Sequence, residues 1–464
     1  MSNARMKKVP PRLRVPAKAS VWYTASALAS RIIGLLVTPI FTRALDASEY
    51  GVFPLYLGWM SVFSAVATLE IGSGAIYGGF SRFGGEEGRY LKSALVALMA
   101  VFLALTVPIF AVFLRFSRLG AGLLLVMAIN VLSDAIASLY LTERRYRYAY
   151  VGVAAYNVVT ALVAPAISLM LVQPLGAAAR PVGLMLTSLI GVTVILFKWN
   201  LRTDRPSGEM VRYVLKSCLS FLPSFLGVAV LMNADRLIIG RILGTAAVAR
   251  YSVAHSIGLA LTFFTVSLLG ALKPWITRKM SENKISEVGD ACRKIITLGA
   301  SVTLLLPVFA PEVLALLAPP EYRGALGAVY PLALSVLPML AVNICTAGSV
   351  IHEKGWLTSL FGIIAATLNV GLNIFLVGRF SFTLAGFSFL VSYLLFAALM
   401  LLTQRELARE LLPTLPALGA SALGVVLLYF MRNLTTLRYA TLALIIPLVL
   451  VTAKDVLSAV TEKE

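Results

Sequence analysis

A positive charge lies near the middle of the first long apolar segment of this 464-residue chain. Arg31 is about eleven residues into that segment, or roughly 16 Å along a helix axis. A charged side chain at mid-bilayer costs about 2.5 to 3.5 kcal/mol, so it must face protein, water or a ligand. Thr24 and Thr38 share its helical face, because small and polar residues recur there every three or four positions. The pattern predicts a polar stripe that lines an aqueous cavity.

Arg31 has a second interpretation, in which it pairs with a buried acid and serves packing alone. Three acids lie in predicted membrane spans, namely Glu70, Asp134 and Asp235. Each of them could neutralise an arginine, or could titrate during transport with H⁺ or Na⁺ as the coupling ion. The sequence leaves both roles open.

The elements that position these charges are predicted to be membrane helices. The sequence is 59% hydrophobic and 13% charged, with a mean hydropathy of +0.88, whereas soluble chains carry about 25% charged residues. An ordinary soluble protein is therefore excluded. The net charge of +19 suits either nucleic acid or an anionic membrane. The hydrophobicity favours the membrane, and we expect no nucleic-acid partner.

Residue patterns for catalysis are missing from the sequence. The three cysteines are far apart and only two histidines are present. No zinc, serine-hydrolase, P-loop or dinucleotide motif occurs in a suitable context. We therefore expect no metal, no cofactor and no catalytic residue, and we predict that the protein is not an enzyme.

Charge clusters and Gly/Pro turns divide the chain into about fourteen apolar segments of about 20 residues each, the second of them at 53–79. This division predicts an all-α polytopic membrane protein. Most Lys and Arg residues fall on even-numbered connections and on the two tails, which the positive-inside rule associates with cytoplasmic termini. We expect a multi-pass protein of a prokaryotic cytoplasmic (inner) membrane.

Two stretches of the chain match at one constant offset. Residues 40–53 align with 238–251, so that Arg43 meets Arg241, and in both copies a short turn separates two apolar helices. Six spans per repeat give parallel halves about an axis along the membrane normal. The predicted units are a cytoplasmic basic tail (1–19), an N-terminal lobe of six spans (20–204), a C-terminal lobe of six spans (205–404), and two extra helices with a cytoplasmic tail (405–464).

The repeat also relates two charged positions. Its offset places Arg236 over Thr38, a residue of the stripe that contains Arg31. Arg31 and Arg236 are therefore predicted to face one cationic cavity from opposite halves. Asp235 is either a local partner of this arginine or a proton site.

Several segments, in their order and spacing, resemble the polysaccharide flippase (Wzx-like) branch of the MATE-like multidrug/oligosaccharidyl-lipid/polysaccharide (MOP) superfamily. The resemblance covers nearly all of the chain. The segments that carry it are Thr38–Leu45, Glu49–Gly51, Leu222-Pro223, Asp235–Gly240, Leu243-Gly244, Tyr251–Ala254, Pro311–Leu317, Glu321-Tyr322 and Asn369–Asn373.

This resemblance implies fourteen helices in two six-helix lobes and the translocation of a polyprenyl-diphosphate-linked oligosaccharide to the outer leaflet by alternating access. It also implies membrane lipids as partners, together with a polysaccharide polymerase and chain-length machinery.

Three alternatives stay open. A lipid II flippase would be expected to carry an Arg-Asp pair in the first span, where Arg31 is followed by Ile32. A cation-coupled multidrug exporter would be expected to carry acids there, and a membrane-embedded glycosyltransferase would need sizeable outer loops.

Overall fold

The computed structural model describes residues 14–72, 76–117, 119–199, 205–282, 284–351 and 355–461. These residues are almost entirely helical, and no strand occurs among them. The predicted basic tail, 1–19, lies mostly outside the described residues. The predicted fold class, an all-α polytopic membrane protein, is confirmed.

The helices follow one another with short connections, as the apolar segments and their Gly/Pro punctuation predict. In chain order they are α1 (Arg14–Ala44), α2 (Ala47–Ala67), α3 (Ile76–Arg82), α4 (Glu87–Phe116), α5 (Ala121–Tyr146), α6 (Tyr150–Leu175), α7 (Ala179–Lys198), α8 (Gly208–Ile242), α9 (Thr245–Gly258), α10 (Thr262–Ser281), α11 (Ile285–Thr303), α12 (Leu305–Leu317), α13 (Leu326–Ile351), α14 (Gly355–Arg379), α15 (Ala385–Thr403), α16 (Arg405–Leu411), α17 (Leu415–Phe430), α18 (Thr435–Ala440) and α19 (Leu442–Thr461).

Twelve helical segments within the described ranges are long and apolar enough to cross a membrane. One of them, Tyr150–Lys198, has 49 residues and contains both α6 and α7, for which the sequence predicts two spans at 148–172 and 180–198. The sequence predicts one span at 248–272. The structure instead has α9 and α10, separated by a break at 259–261, and neither helix is among the twelve. The count of fourteen crossings stays a prediction.

The two matching stretches fold in the same way. Helix α1 ends at Ala44 and α2 begins at Ala47, while α8 ends at Ile242 and α9 begins at Thr245. Both the ends and the starts are thus 198 residues apart (242 − 44 and 245 − 47). In the first copy, Asp46 caps α2 by accepting a hydrogen bond from the backbone N–H of Glu49 at 2.8 Å.

The halves of the molecule are joined at the end of the bundle that holds the turn at 45–46, hereafter the Asp46 end. The Thr42 hydroxyl donates to the carbonyl oxygen of Leu317 in α12 at 2.7 Å. Arg43 donates to the carbonyl of Leu316 at 3.1 Å. The rings of Tyr50 and Tyr322 meet edge to face with centroids 6.4 Å apart. These contacts close the Asp46 end.

Helix α18, near the C-terminal end of the chain, is attached to the second half by a buried arginine. Arg438 of α18 is 1% exposed and forms two hydrogen bonds with the carboxylate of Glu312 in α12, one of them 2.7 Å long. It also donates to the carbonyl of Val308. A guanidinium suits this place because its planar fork matches a carboxylate with two parallel bonds.

The second helix is shorter than the sequence predicts, which moves one acid out of the span. The prediction covers 53–79, whereas α2 ends at Ala67. The Thr68 hydroxyl donates to the carbonyl of Ser64, and Leu69 and Glu70 both have a φ of 48°, a left-handed conformation that cannot continue a helix. Glu70 therefore lies in a turn after α2, where its backbone N–H donates to Thr68 Oγ1.

Candidate functional site

Arg31 lies near the middle of the membrane span in α1, and its side chain is exposed. Within the span Trp22–Ala44 it is about 14 Å from the first residue and about 20 Å from the last along the helix axis, at 1.5 Å per residue. In the described part of the protein its side chain makes no ion pair and no hydrogen bond with another residue. None of the three predicted acids therefore neutralises it.

The helical face of Arg31 has open space next to it. No atom of the described residues lies within 4 Å of the position that a Cβ on Gly34 would occupy. Thr24 is half-buried. Thr38 is buried, and its hydroxyl donates to the carbonyl of Gly34 at 2.9 Å. The predicted stripe thus has an open centre at Arg31 and Gly34, and it becomes buried one turn later.

Arg236 lies in the second half, in a cluster with a buried acid. Its guanidinium is 2.8 Å from His255 Nδ1 and 3.2 Å from the side-chain oxygen of Asn233. Asp235 is fully buried, accepts a hydrogen bond from the Tyr251 hydroxyl, and lies 3.9 Å from His255 Nε2. We call these five residues the Asp235 cluster.

The hydrogen bond from Arg236 determines the tautomer of His255. A guanidinium can only donate, so Nδ1 of His255 accepts and the proton of the neutral ring is on Nε2, on the side of Asp235. Two buried nitrogens of the cluster, Arg236 Nε and His255 Nε2, have no hydrogen-bond partner among the described residues. A buried acid next to such unused donors can exchange a proton.

Tyr251 and His255 are not predicted from the sequence as partners of Asp235. Their spacing of four residues in α9 places both on one helical face, which is the signal that could have found them. The facing helix, α8, could not be chosen from spacing alone.

Asp134 belongs to a separate polar network in the first half. The Ser188 hydroxyl of α7 lies 2.7 Å from one Asp134 carboxylate oxygen and 3.0 Å from the Asn130 side-chain oxygen. Asn130 in turn donates to the Tyr56 hydroxyl at 3.3 Å. Glu70, in its turn after α2, accepts a hydrogen bond from Ser64 at 3.2 Å. The predicted acids are therefore spread over three sites.

A cation that the sequence analysis did not single out lies at the Asp46 end. The guanidinium carbon of Arg180, in the first turn of α7, is 3.8 Å from the ring centroid of Phe53, 4.6 Å from that of Phe41 and 5.5 Å from that of Tyr50. Aromatic faces attract cations at such distances. Because Tyr50 also meets Tyr322 of the second half, this aromatic cage adjoins the closed joint.

A known protein family matches sequence in both halves of the molecule. A family model described as polysaccharide biosynthesis protein matches residues 17–280, which is more than half of the chain and includes Arg31, Asp134 and the Asp235 cluster. No curated protein matches the chain.

Solved transporters share the fold. The lipid II flippase MurJ in an inward closed conformation has a TM-score of 0.65 at 13% identity, over 89% of this chain and 99% of that one. An inward-facing multidrug resistance MATE transporter of the MOP superfamily has a TM-score of 0.63 at 15% identity, over 83% and 95%. A MOP superfamily transporter from Pyrococcus furiosus, described as having a binding pocket of reverse polarity, has a TM-score of 0.59 at 17% identity, over 86% and 98%.

Sequence identities of 13 to 17% establish only that the fold is shared. The family model establishes membership of the family, because it matches more than half of the chain. The chain belongs to the polysaccharide biosynthesis protein family, and it is a multi-pass membrane protein with the fold of the MOP superfamily transporters.

Proposed function

We propose that this protein is a flippase that moves a polyprenyl-diphosphate-linked oligosaccharide from the cytoplasmic to the outer leaflet. The observation that carries the proposal is the exposed guanidinium of Arg31, which lies near the middle of an apolar helix and has no carboxylate partner among the described residues. A lone charge at this depth needs water or an anion. A diphosphate supplies two negative groups that a guanidinium binds through paired hydrogen bonds.

The substrate has two parts with opposite needs. Its sugar and diphosphate require a hydrated cationic passage, while its prenyl chain is stable in lipid. In this proposal the stripe of Thr24, Arg31 and Thr38 forms one wall of the passage, and Arg236 contributes from the second half. With the N-terminus in the cytoplasm, as the distribution of Lys and Arg predicts, α1 ends on the outer side, and the closed Asp46 end is the outer end in this proposal. The opposite end then admits substrate from the cytoplasm, with both termini on that side.

Energy for transport comes from an ion in this proposal, and the Asp235 cluster is the first candidate for its site. Asp235 is buried beside a histidine and a tyrosine, so a change in its charge alters the packing of α8 on α9. Asp134 is the second candidate, because it occupies a polar network within the first half. Downstream, a polysaccharide polymerase and its chain-length machinery would take up the exported unit.

The central test replaces Arg31 with alanine and with lysine in a strain that lacks its own polysaccharide flippase. We expect Arg31→Ala to abolish surface glycan at normal protein levels, and Arg31→Lys to restore part of it because the charge returns without the planar fork. Arg241→Ala is the matched control, since Arg241 is exposed at the end of α8 and makes no ion pair among the described residues. Normal glycan export by Arg31→Ala would reject the proposal.

Two further strains separate this function from its relatives. Growth after depletion of a lipid II flippase would indicate a lipid II substrate, and increased drug resistance would indicate a multidrug exporter. We expect neither, because the described first span contains no acid and its arginine is followed by Ile32.

A further inference from the structure

A cavity lies inside the first half, away from the joint between the halves. It has a volume of about 480 Å³ and is bounded by α5, α6 and α7. Small-molecule sites commonly measure about 300 to 1,000 Å³. Its walls are mainly aliphatic, with Leu141, Val153, Val159, Val163, Ile190 and Val194 among them. We call this cavity the α6 crevice.

Two cations lie at one end of the α6 crevice. Arg144 is in the last turn of α5, and Lys198 is the last residue of α7. The Arg144 guanidinium lies over the Tyr140 ring at 4.9 Å, and its buried Nε has no hydrogen-bond partner among the described residues. Neither cation forms an ion pair within the described ranges.

The carboxylate of Glu143, the residue before Arg144, already binds two other side chains. Glu143 is 3.0 Å from the Arg147 guanidinium and accepts a hydrogen bond from the Trp199 indole at 3.0 Å. Arg144 and Lys198 therefore remain as a pair of positive charges above an apolar cavity. An anionic group with a hydrocarbon chain complements both features.

The α6 crevice can be reached from its side. Val159 and Ile190 are each 55% exposed and Val194 is 46% exposed, although all three line the cavity. A Cβ added to Gly152, on the wall formed by α6, would meet no atom of the described part of the chain within 4 Å. A chain can thus enter between α6 and its neighbours without displacing backbone.

We propose that the α6 crevice binds one anionic phospholipid of the bilayer, with an acyl chain along the aliphatic wall and the phosphate at Arg144 and Lys198. The site lies wholly within one half and does not include Arg31, so its occupancy does not depend on the relative position of the halves. This property suits a resident lipid better than the transported molecule. The proposal does not rest on the flippase assignment.

Native mass spectrometry of the purified full-length protein tests the site with two probes that have identical acyl chains, dioleoyl phosphatidylglycerol and dioleoyl phosphatidylcholine. We expect one phosphatidylglycerol to bind on the order of tenfold more tightly than phosphatidylcholine, because two cations contact its phosphate without a compensating choline. Arg144→Gln with Lys198→Gln should remove this preference. Arg241→Gln with Arg323→Gln, a pair of exposed arginines outside the crevice, should keep it.

A second variant tests the hydrocarbon part of the site. Gly152→Leu should fill the crevice and remove tight binding of phosphatidylglycerol, whereas Gly371→Leu, at an equally open position on α14, should not. Equal binding of both probes to the unmodified protein would overturn the proposal. So would unchanged preference in the Arg144/Lys198 variant, or displacement of phosphatidylglycerol by an equimolar polyprenyl diphosphate.

Discussion

Gly51 and Ala249 occupy equivalent positions in the two repeats, 198 residues apart (249 − 51), and their helices touch there. A Cβ on Gly51 would lie 3.1 Å from the backbone nitrogen of Ala249 and would overlap the carbonyl oxygen of Thr245. Only a glycine permits this approach of α2 and α9. The contact of equivalent residues is what a two-fold relation between parallel halves requires at its axis.

This contact predicts that Gly51→Leu opens the Asp46 end. A side chain at this position must push against backbone, which cannot rotate away as a side chain can. Cross-linking of Arg43→Cys to Leu316→Cys by a short thiol reagent should fall several-fold, because these two exposed residues are joined only while the end is closed.

Gly122→Leu is the control for this measurement, since no described residue lies within 4 Å of a Cβ on Gly122. The three native cysteines are buried and should contribute little background. Equal cross-linking in the Gly51 and Gly122 variants would contradict the assigned role of Gly51.

Two substitutions of Asp235 should distinguish its effect on protein stability from its role in ion-coupled transport. Asparagine keeps the shape and an acceptor for the Tyr251 hydroxyl, so Asp235→Asn should fold normally but export little glycan. Alanine leaves the tyrosine and Arg236 without this acceptor, so Asp235→Ala should also lose about 3 kcal/mol of stability. Thermal unfolding in detergent and surface glycan are measured together, and full export by Asp235→Asn from pH 6 to pH 8 would exclude a coupling role.

The pair of Arg438 and Glu312 should respond unequally to the loss of either partner. Arg438 is 1% exposed and Glu312 is 41% exposed, so Glu312→Gln leaves a buried cation unpaired, whereas Arg438→Met leaves a carboxylate that water can reach. We expect Glu312→Gln to cost about 2 kcal/mol, reduced by solvent screening from the value for a fully buried pair, and Arg438→Met to cost less.

The double variant provides the control for this pair. Glu312→Gln with Arg438→Met removes both charges, so its unfolding midpoint should lie above that of Glu312→Gln alone. A double variant that is less stable than either single one would show that the two residues act independently.

The cap at Asp46 predicts an effect of acid on stability. The backbone N–H of Glu49 and then the Ser48 hydroxyl hold the pKa of Asp46 below its usual value of 3.8. A lowered pKa in the folded state stabilises the protein above the unfolded pKa, and this stabilisation is lost as the pH falls through the folded pKa. The difference in unfolding midpoint between the natural protein and Asp46→Ala should therefore be constant from pH 8 to pH 5 and shrink below pH 3.8. A difference that already shrinks at pH 6 would refute this account.

The sequence by itself determined the fold class and the local form of the repeat. Continuous apolar segments of about 20 residues cross a membrane as helices, because a helix satisfies the hydrogen bonds of its backbone within one segment where lipid offers none. The matched stretches 40–53 and 238–251 fold with helix ends at the same offset, since turns depend on nearby residues. The depth of Arg31 also follows from position along one helix.

Only the tertiary structure decided which charged groups meet. It joined Arg236 and Asp235 to His255, placed Arg180 over three aromatic rings and left Arg31 without a partner among the described residues. It also placed Glu70 outside the helix, where a left-handed turn ends α2. Such pairings depend on the direction in which each helix faces its neighbours, and spacing along one helix does not contain that information.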